Sequence, residues 1–302
     1  MRFNREKEHL GRAPRLAAGP HPGTYGVYRG GINGYNFKDS EARCNLETHL
    51  DPVELYLDLL KKSLTDTLHG SEPDHDQESQ ANFLRGFVTH YIRGTAITML
   101  PTERLNHLQS CMIDVVARSV PGDVIETGVW RGGATIFMRG VFKALGVRDR
   151  SVWVADSFEG LPVPDGRRFP LEAKAHAGPF MTKVCNHLAV GIDEVKKNFE
   201  CYGLLDDRVQ FLKGWFSETL PVAPIERLAL MRLDGDLYES TRDALVNLYD
   251  RLSPGGYVII DDYGEDSWTY CRRAVDEFRS QRDIHDPLQK VDSRCYYWQR
   301  TY

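Results

Sequence analysis

The sequence predicts a doubly wound α/β domain with helices on both faces of its sheet and a helical extension before it. Three observations predict this. Short apolar runs, among them Val152-Trp153-Val154-Ala155, Leu228-Ala229-Leu230-Met231-Arg232-Leu233 and Tyr257-Val258-Ile259-Ile260, have the length of buried strands. Stretches with apolar residues at helical spacing alternate with them, as Thr241 to Leu252 does between the last two. The runs also stop abruptly in acid, at Asp156, Asp234 and Asp261-Asp262.

Taken in order, residues 1–50 are rich in Gly, Arg and Pro, as in Arg29-Gly30-Gly31-Ile32-Asn33-Gly34, and read as an irregular arm. Residues 51–120 read as a helical region. Asp51-Pro52 offers an N-cap and a proline at the first helical position, and Val53, Tyr56, Leu57, Leu60 and Leu64 form a stripe ending near Gly70. A polar loop over 71–80 follows, and a second helix from Thr102 carries Leu105, Leu108 and Met112 toward Pro121-Gly122. Strands and helices then alternate over 121–302. Asp123 to Thr127 is a strand, Val129 to Thr135 leads into a helix ending near Gly146, and Ser151 to Asp156 and Val209 to Leu212 are strands. After Asp262 come a helix from about Tyr270 to Arg279 and short strands near Lys290-Val291 and Tyr296-Tyr297-Trp298. The exception is a Pro-, Gly- and charge-rich insertion near 159–188, which reads as a lid or a disordered loop.

Composition narrows the function classes. The 302 residues are 41% hydrophobic and 27% charged, enough for a sizeable core. A net charge of −5 and no long basic run argue against a nucleic-acid partner. No stretch has the apolar length of a membrane span, and Met1-Arg2-Phe3-Asn4-Arg5-Glu6 lacks a signal-peptide apolar region, so a cytoplasmic location is expected. The six cysteines, at 44, 111, 185, 201, 271 and 295, are scattered and read as reduced thiols.

Chemistry concentrates in two places. Asp234, in Leu233-Asp234-Gly235-Asp236, and the pair Asp261-Asp262 follow parallel strands, whose ends share one edge of the sheet. Three converging carboxylates repel one another without a cation, and oxygen ligands with no Cys or His beside them suit Mg²⁺ or another oxygen-preferring divalent ion. The alternative is that these acids cap the following helices; one cap needs one carboxylate, and the two doublets supply four. The second place is Glu126-Thr127-Gly128-Val129-Trp130-Arg131-Gly132-Gly133, between a strand and a helix. A phosphate-binding P-loop needs Lys where Ala134 stands, and a dinucleotide fingerprint needs Gly where Trp130 stands. Asp156, closing the next strand, can accept hydrogen bonds from a ribose diol or cap the turn Ser157-Phe158-Glu159-Gly160.

These segments carry a resemblance. With Tyr56-Leu57-Asp58-Leu59-Leu60-Lys61, Trp153 to Gly160, Tyr202-Gly203-Leu204-Leu205-Asp206, Gly214-Trp215-Phe216, Leu233 to Thr241 and Leu252 to Tyr263, the chain from about Leu50 onward resembles the macrocin O-methyltransferases. These are S-adenosylmethionine- and Mg²⁺-dependent enzymes that methylate sugar hydroxyls of antibiotics. The resemblance implies a Rossmann-like class I methyltransferase sheet, a small-molecule glycoside acceptor and a homodimer. It implies that Glu126, Thr127, Gly128, Val129, Trp130, Arg131 and Gly132 wrap the methionine part of S-adenosylmethionine and that Asp156 holds the ribose. Ser157 and Phe158 would lie near the adenosine, with Thr98, Met99, Gly214, Trp215 and Phe216 completing the pocket. Asp234, Asp261 and Asp262 fall on the metal ligands. Asp234 is the first choice as proton acceptor and Asp236 its rival. Two other readings share the residues: a catechol-type O-methyltransferase, and a binding module without turnover.

Overall fold

The computed structural model describes residues 51–70, 91, 94–264 and 269–302; the arm over 1–50 and the polar loop over 71–80 lie outside the described residues. Helix α1 (Pro52–Leu64) starts as its sequence dictates, with the Asp51 carboxylate accepting from Val53 N–H at 3.0 Å and Pro52 in the first turn. It stops at Leu64, short of Gly70, because Thr65 closes it and Asp66 turns to φ 59°. Helix α2 (Thr102–Ala117) follows, burying Leu105, Leu108 and Met112.

Seven strands form one sheet: β1 (Asp123–Thr127), β2 (Val152–Asp156), β3 (Val209–Lys213), β4 (Leu228–Leu233), β5 (Leu252–Ile260), β6 (Gln289–Lys290) and β7 (Tyr296–Gln299). Their order is β3-β2-β1-β4-β5-β7-β6. Neighbours among β1 to β5 pair in parallel, and β7 runs antiparallel to both β5 and β6. The expected doubly wound sheet is therefore observed, with its switch point between β1 and β4.

The connecting helices are α3 (Gly133–Ala144) after β1, α4 (Pro170–His176), α5 (Pro179–Leu188) and α6 (Ile192–Cys201) after β2, α7 (Phe216–Thr219) after β3, α8 (Tyr238–Leu248) after β4 and α9 (Thr269–Gln281) after β5. Alternate strand residues feed two cores. Val124, Val154 and Leu230 pack with Leu60, Met112, Phe137 and Phe199 on one face. Ile125, Met231 and Val258 pack with Leu245, Leu248, Val275 and Phe278 on the other. The helices of the 51–120 region thus share a core with the sheet. Among the described residues no helix is long and apolar enough to cross a membrane.

Register decides what meets at the edge. Thr127 pairs with Ala155 on one side and Leu233 on the other, and Leu233 pairs with Ile260. The next residues, Asp156, Gly128, Asp234 and Asp261, therefore leave four adjacent strands side by side.

Candidate active site

Backbone hydrogen bonds lock these exits together. Gly128 N–H donates to Ala155 O at 2.9 Å, Asp234 N–H to Thr127 O at 2.9 Å, and Asp261 N–H to Leu233 O at 3.0 Å. Gly128 adopts φ +86°, and a Cβ there would collide with the Asp234 carbonyl oxygen. Only glycine avoids both the backbone strain and the clash. Gly128→Ala is expected to lose about 3 kcal/mol or more of stability, read as a lower Tm and denaturation midpoint.

Arg232 stands at the centre of the acids. Its side chain, 1% exposed on β4, pairs with Glu126 and Asp261 and donates to Asp234 Oδ2 at 3.0 Å. Arg104 of α2 donates to Asp261 Oδ2 at 2.8 Å and, through Nε, to Asp292 Oδ2 at 2.5 Å. Each oxygen of Asp261 therefore faces an arginine. Burial alone would push the Asp261 carboxyl up, but Arg104 and Arg232 hold it below the usual range. Neither arginine was singled out from sequence; the visible signal was one Arg inside an apolar run that stops in acid.

The carboxylates that converge are Asp234, Asp236 and Asp262, each with an oxygen within 4.8 Å of the others'. Asp262 Oδ2 is buried with no hydrogen-bond partner. Neither Asp234 nor Asp236 caps α8, whose N-cap is Leu237 with no side-chain hydrogen bond, so the capping alternative fails for this pair. An acid cluster with an unpaired buried oxygen fits a hard divalent cation.

The electrostatics agree with that fit. Burial and then the Asp261 charge push Asp234 up to about 6. Burial and then the Asp234 charge push Asp236 up to about 8, and burial and then the Asp236 charge push Asp262 well above the usual carboxylate range. An unfolded aspartate titrates near 3.9. The metal-free fold thus binds more protons than the unfolded chain between about pH 4 and 8, and its stability falls as pH rises through that window. The Asp261 contribution has the opposite sign and is fully present above its unfolded pKa. Tm measured in chelator is expected to be higher at pH 5.5 than at pH 8, with added Mg²⁺ closing the gap.

Asp234 and Asp236 line a cleft of about 780 Å³ together with Arg168, Glu239 and Asp243. Met99, Gly128, Trp130, Asp156, Ser157, Trp215 and Phe216 line the same cleft. Asp156 ties two loops together: Oδ2 accepts from Val129 N–H at 2.8 Å and Oδ1 from Phe158 N–H at 2.7 Å. It serves as the turn cap and faces the cleft at once. Trp130, at φ 48°, donates Nε1–H to His187 O at 3.3 Å, and the Arg131 guanidinium lies 4.4 Å from its ring. The other expected residues are not among those that line the cleft. Thr98 Oγ1 accepts from Leu100 N–H, Glu126 and Thr127 are buried, Gly132 starts α3 at φ 87°, and Gly214 N–H donates to Asp156 O at 2.9 Å.

The insertion near 159–188 contains two short helices rather than a continuous loop. Pro170 and Pro179 sit in the first turns of α4 and α5, where a fixed φ and a missing N–H suit a helix. Glu159 to Val163, Arg168 and Leu188 from this segment border the cleft.

Comparison with known proteins identifies the family. Residues 53–300 match the Macrocin-O-methyltransferase (TylF) family model. The chain is 48% identical over 258 residues to the 8-demethyl-8-(2,3-dimethoxy-alpha-L-rhamnosyl)-tetracenomycin-C 4'-O-methyltransferase of Streptomyces olivaceus, covering 83% of this chain and 94% of that one. It is 46% identical to the demethyldecarbamoylnovobiocin O-methyltransferase of Streptomyces niveus, with 84% and 96% covered. The solved structure of the O-methyltransferase NovP superposes with a TM-score of 0.69 at 45% identity, covering 83% of this chain and all of that one. With the family model spanning most of the chain, this protein belongs to the macrocin O-methyltransferase family and is an S-adenosylmethionine-dependent O-methyltransferase.

Proposed function

We propose that this enzyme methylates a sugar hydroxyl of a glycosylated natural product in antibiotic biosynthesis, with Mg²⁺ held at the acid wall of the cleft. The observation that carries the reading is the convergence of Asp234, Asp236 and Asp262, the first two on the cleft that Gly128, Trp130 and Asp156 also line. The name of the Streptomyces olivaceus relative, a 4'-O-methyltransferase of a rhamnosyl compound, supports the acceptor class.

Asp234 and Asp262 are the ligands on which geometry and family resemblance agree. Asp261 completes the set that the resemblance implies, and its clamp between Arg104 and Arg232 must release an oxygen for that role. A divalent cation held by Asp234, Asp262 and Asp261 would supply Lewis acidity, lowering the pKa of an acceptor hydroxyl. The chain's own residues do the rest. The turn from Glu126 to Gly132 receives the methionine part of the cofactor, Asp156 the ribose, and Ser157, Phe158, Met99 and Trp215 the adenosine side. The Asp236 carboxylate takes the hydroxyl proton: no arginine pairs with it among the described residues, whereas Asp234 Oδ2 is engaged by Arg232. The 159–188 segment keeps water from the reacting atoms.

The test is methyl transfer from labelled S-adenosylmethionine to glycosylated and to catechol acceptors, with and without chelator. Turnover of glycosides that stops on chelation is expected. Turnover of catechols alone, or undiminished turnover in chelator, refutes the proposal. In a separate calorimetric measurement, Asp156→Ala is expected to weaken S-adenosylmethionine binding by about 10–100-fold, the loss of hydrogen bonds to a charged group.

A further inference from the structure

The 159–188 segment is fastened to the sheet by contacts that meet at the turn holding Asp236. Glu172 of α4 is 2% exposed, although Leu171 beside it is 71% exposed. Glu172 Oε1 accepts from the backbone N–H of Tyr238 at 3.0 Å. Tyr238 is the first residue of α8, and the N-cap of that helix, Leu237, makes no side-chain hydrogen bond. A helix start leaves N–H groups unpaired and favours a negative charge. Glu172 thus supplies, from elsewhere in the chain, the cap that the local sequence lacks. Beside it Phe169 stacks on Tyr238 with ring centroids 4.7 Å apart, in a small apolar cluster with Ala274 that stands apart from the two main cores.

Between this fastening and β4 lies only Asp234-Gly235-Asp236-Leu237. Leu237 N–H donates to Gly235 O at 2.5 Å, and Asp236 is held at φ 56°. A left-handed aspartate persists where both flanks impose it. One flank is the Asp234 bond to β1, and the other is the start of α8. Glu172 Oε2 is buried with no hydrogen-bond partner, a cost that packing alone does not require.

We propose that Glu172 is a positioning residue for methyl transfer: by capping α8 from the 159–188 segment, it sets the Asp236 turn only when that segment is seated on the cleft. The proposal rests on the reading that Asp236 accepts the hydroxyl proton. Covering the cleft and aiming the acid are then one event, so a site open to water has a misplaced proton acceptor.

Hydrogen–deuterium exchange of the full chain, with neither metal nor acceptor, tests the coupling. Glu172→Ala, and Glu172→Asp with a carboxylate one methylene too short, are expected to raise exchange about tenfold in both 166–176 and 236–242. Glu172→Gln keeps an acceptor oxygen and is expected to hold both segments near the parent rate. If the alanine variant does not fold, the Asp and Gln pair decides. Faster exchange confined to 166–176 overturns the proposal, and so does a Gln variant that behaves like Asp. In turnover of a glycoside accepted by the parent enzyme, Glu172→Asp is expected to lower kcat with KM for S-adenosylmethionine unchanged; a loss confined to KM overturns it equally. A wrong acceptor class or a metal-independent reaction would appear in the parent enzyme and leave the exchange pattern as it was.

Discussion

Asp236→Asn is expected to lower kcat by roughly 10²–10⁴-fold, the contribution of a positioned proton acceptor, while binding of S-adenosylhomocysteine and of Mn²⁺ as a Mg²⁺ stand-in stays within a few-fold of the parent. Asp262→Asn and Asp234→Asn are expected to bring activity to background by a different route, through loss of Mn²⁺ binding. The reason for the split is geometric. All three acids bring an oxygen within 4.8 Å of one another, but Asp262 holds a buried oxygen with no partner, and Asp234 is steered by Arg232 at 3.0 Å. Asp236 sits on the turn between β4 and α8, at the cleft wall. Titration calorimetry with Mn²⁺, paired with single-turnover rates, separates the two classes. If Asp236→Asn abolishes Mn²⁺ binding and Asp261→Asn does not, Asp236 is a ligand and the acceptor role passes to Asp234. If Asp261→Asn abolishes binding and Asp236→Asn does not, the ligand set is the one that the family resemblance implies.

Arg232→Met is expected to cost about 3–5 kcal/mol, the penalty for removing one partner from a buried charge network. Its guanidinium pairs with Glu126, Asp234 and Asp261, so the variant leaves three acids facing one another, with Arg104 still paired to Asp261. In a domain of this size the loss corresponds to a fall in Tm on the order of 10 °C. Two measurements separate lost charge from lost packing. Adding Glu126→Gln to Arg232→Met removes one of the stranded charges and is expected to restore part of the stability, a coupling that a double-mutant cycle reads directly. Lowering the pH protonates the acids and is expected to narrow the gap between variant and parent. A gap that stays constant from pH 8 to pH 5.5 would assign the loss to packing.

The sheet was legible because its strands are brief apolar runs that stop in acid or glycine, and because parallel pairing sends such endings to one edge. Helix α6 escaped notice although Ile192, Val195 and Phe199 carry a helical stripe, because the proline- and charge-rich stretch before it masks the return to regular structure. Helices α4 and α5 were hidden for the same reason: their prolines signal a loop and also open a helix. Within the site, the acids and the glycine turn could be read from residue type and spacing. Their cations could not. Arg104 meets Asp261 across 157 residues of sequence, and a contact of that separation leaves no local periodicity or motif. Which acid keeps a free oxygen is therefore a property of packing, not of the acidic doublets themselves.

The row of backbone hydrogen bonds from β2 through β1 to β4 and β5 has a consequence for how such an enzyme can change its acceptor. The glycine turn and the acids are spaced by main-chain atoms, Gly128 on Ala155, Asp234 on Thr127 and Asp261 on Leu233, so side-chain replacement at positions other than Gly128 leaves the spacing of these exits unaltered. The segment over 159–188, by contrast, meets this frame through side chains such as Phe169 and Glu172. The spacing of the strand exits thus belongs to the main chain, and the cover can be rewritten for a new acceptor wherever the Phe169 and Glu172 contacts are kept.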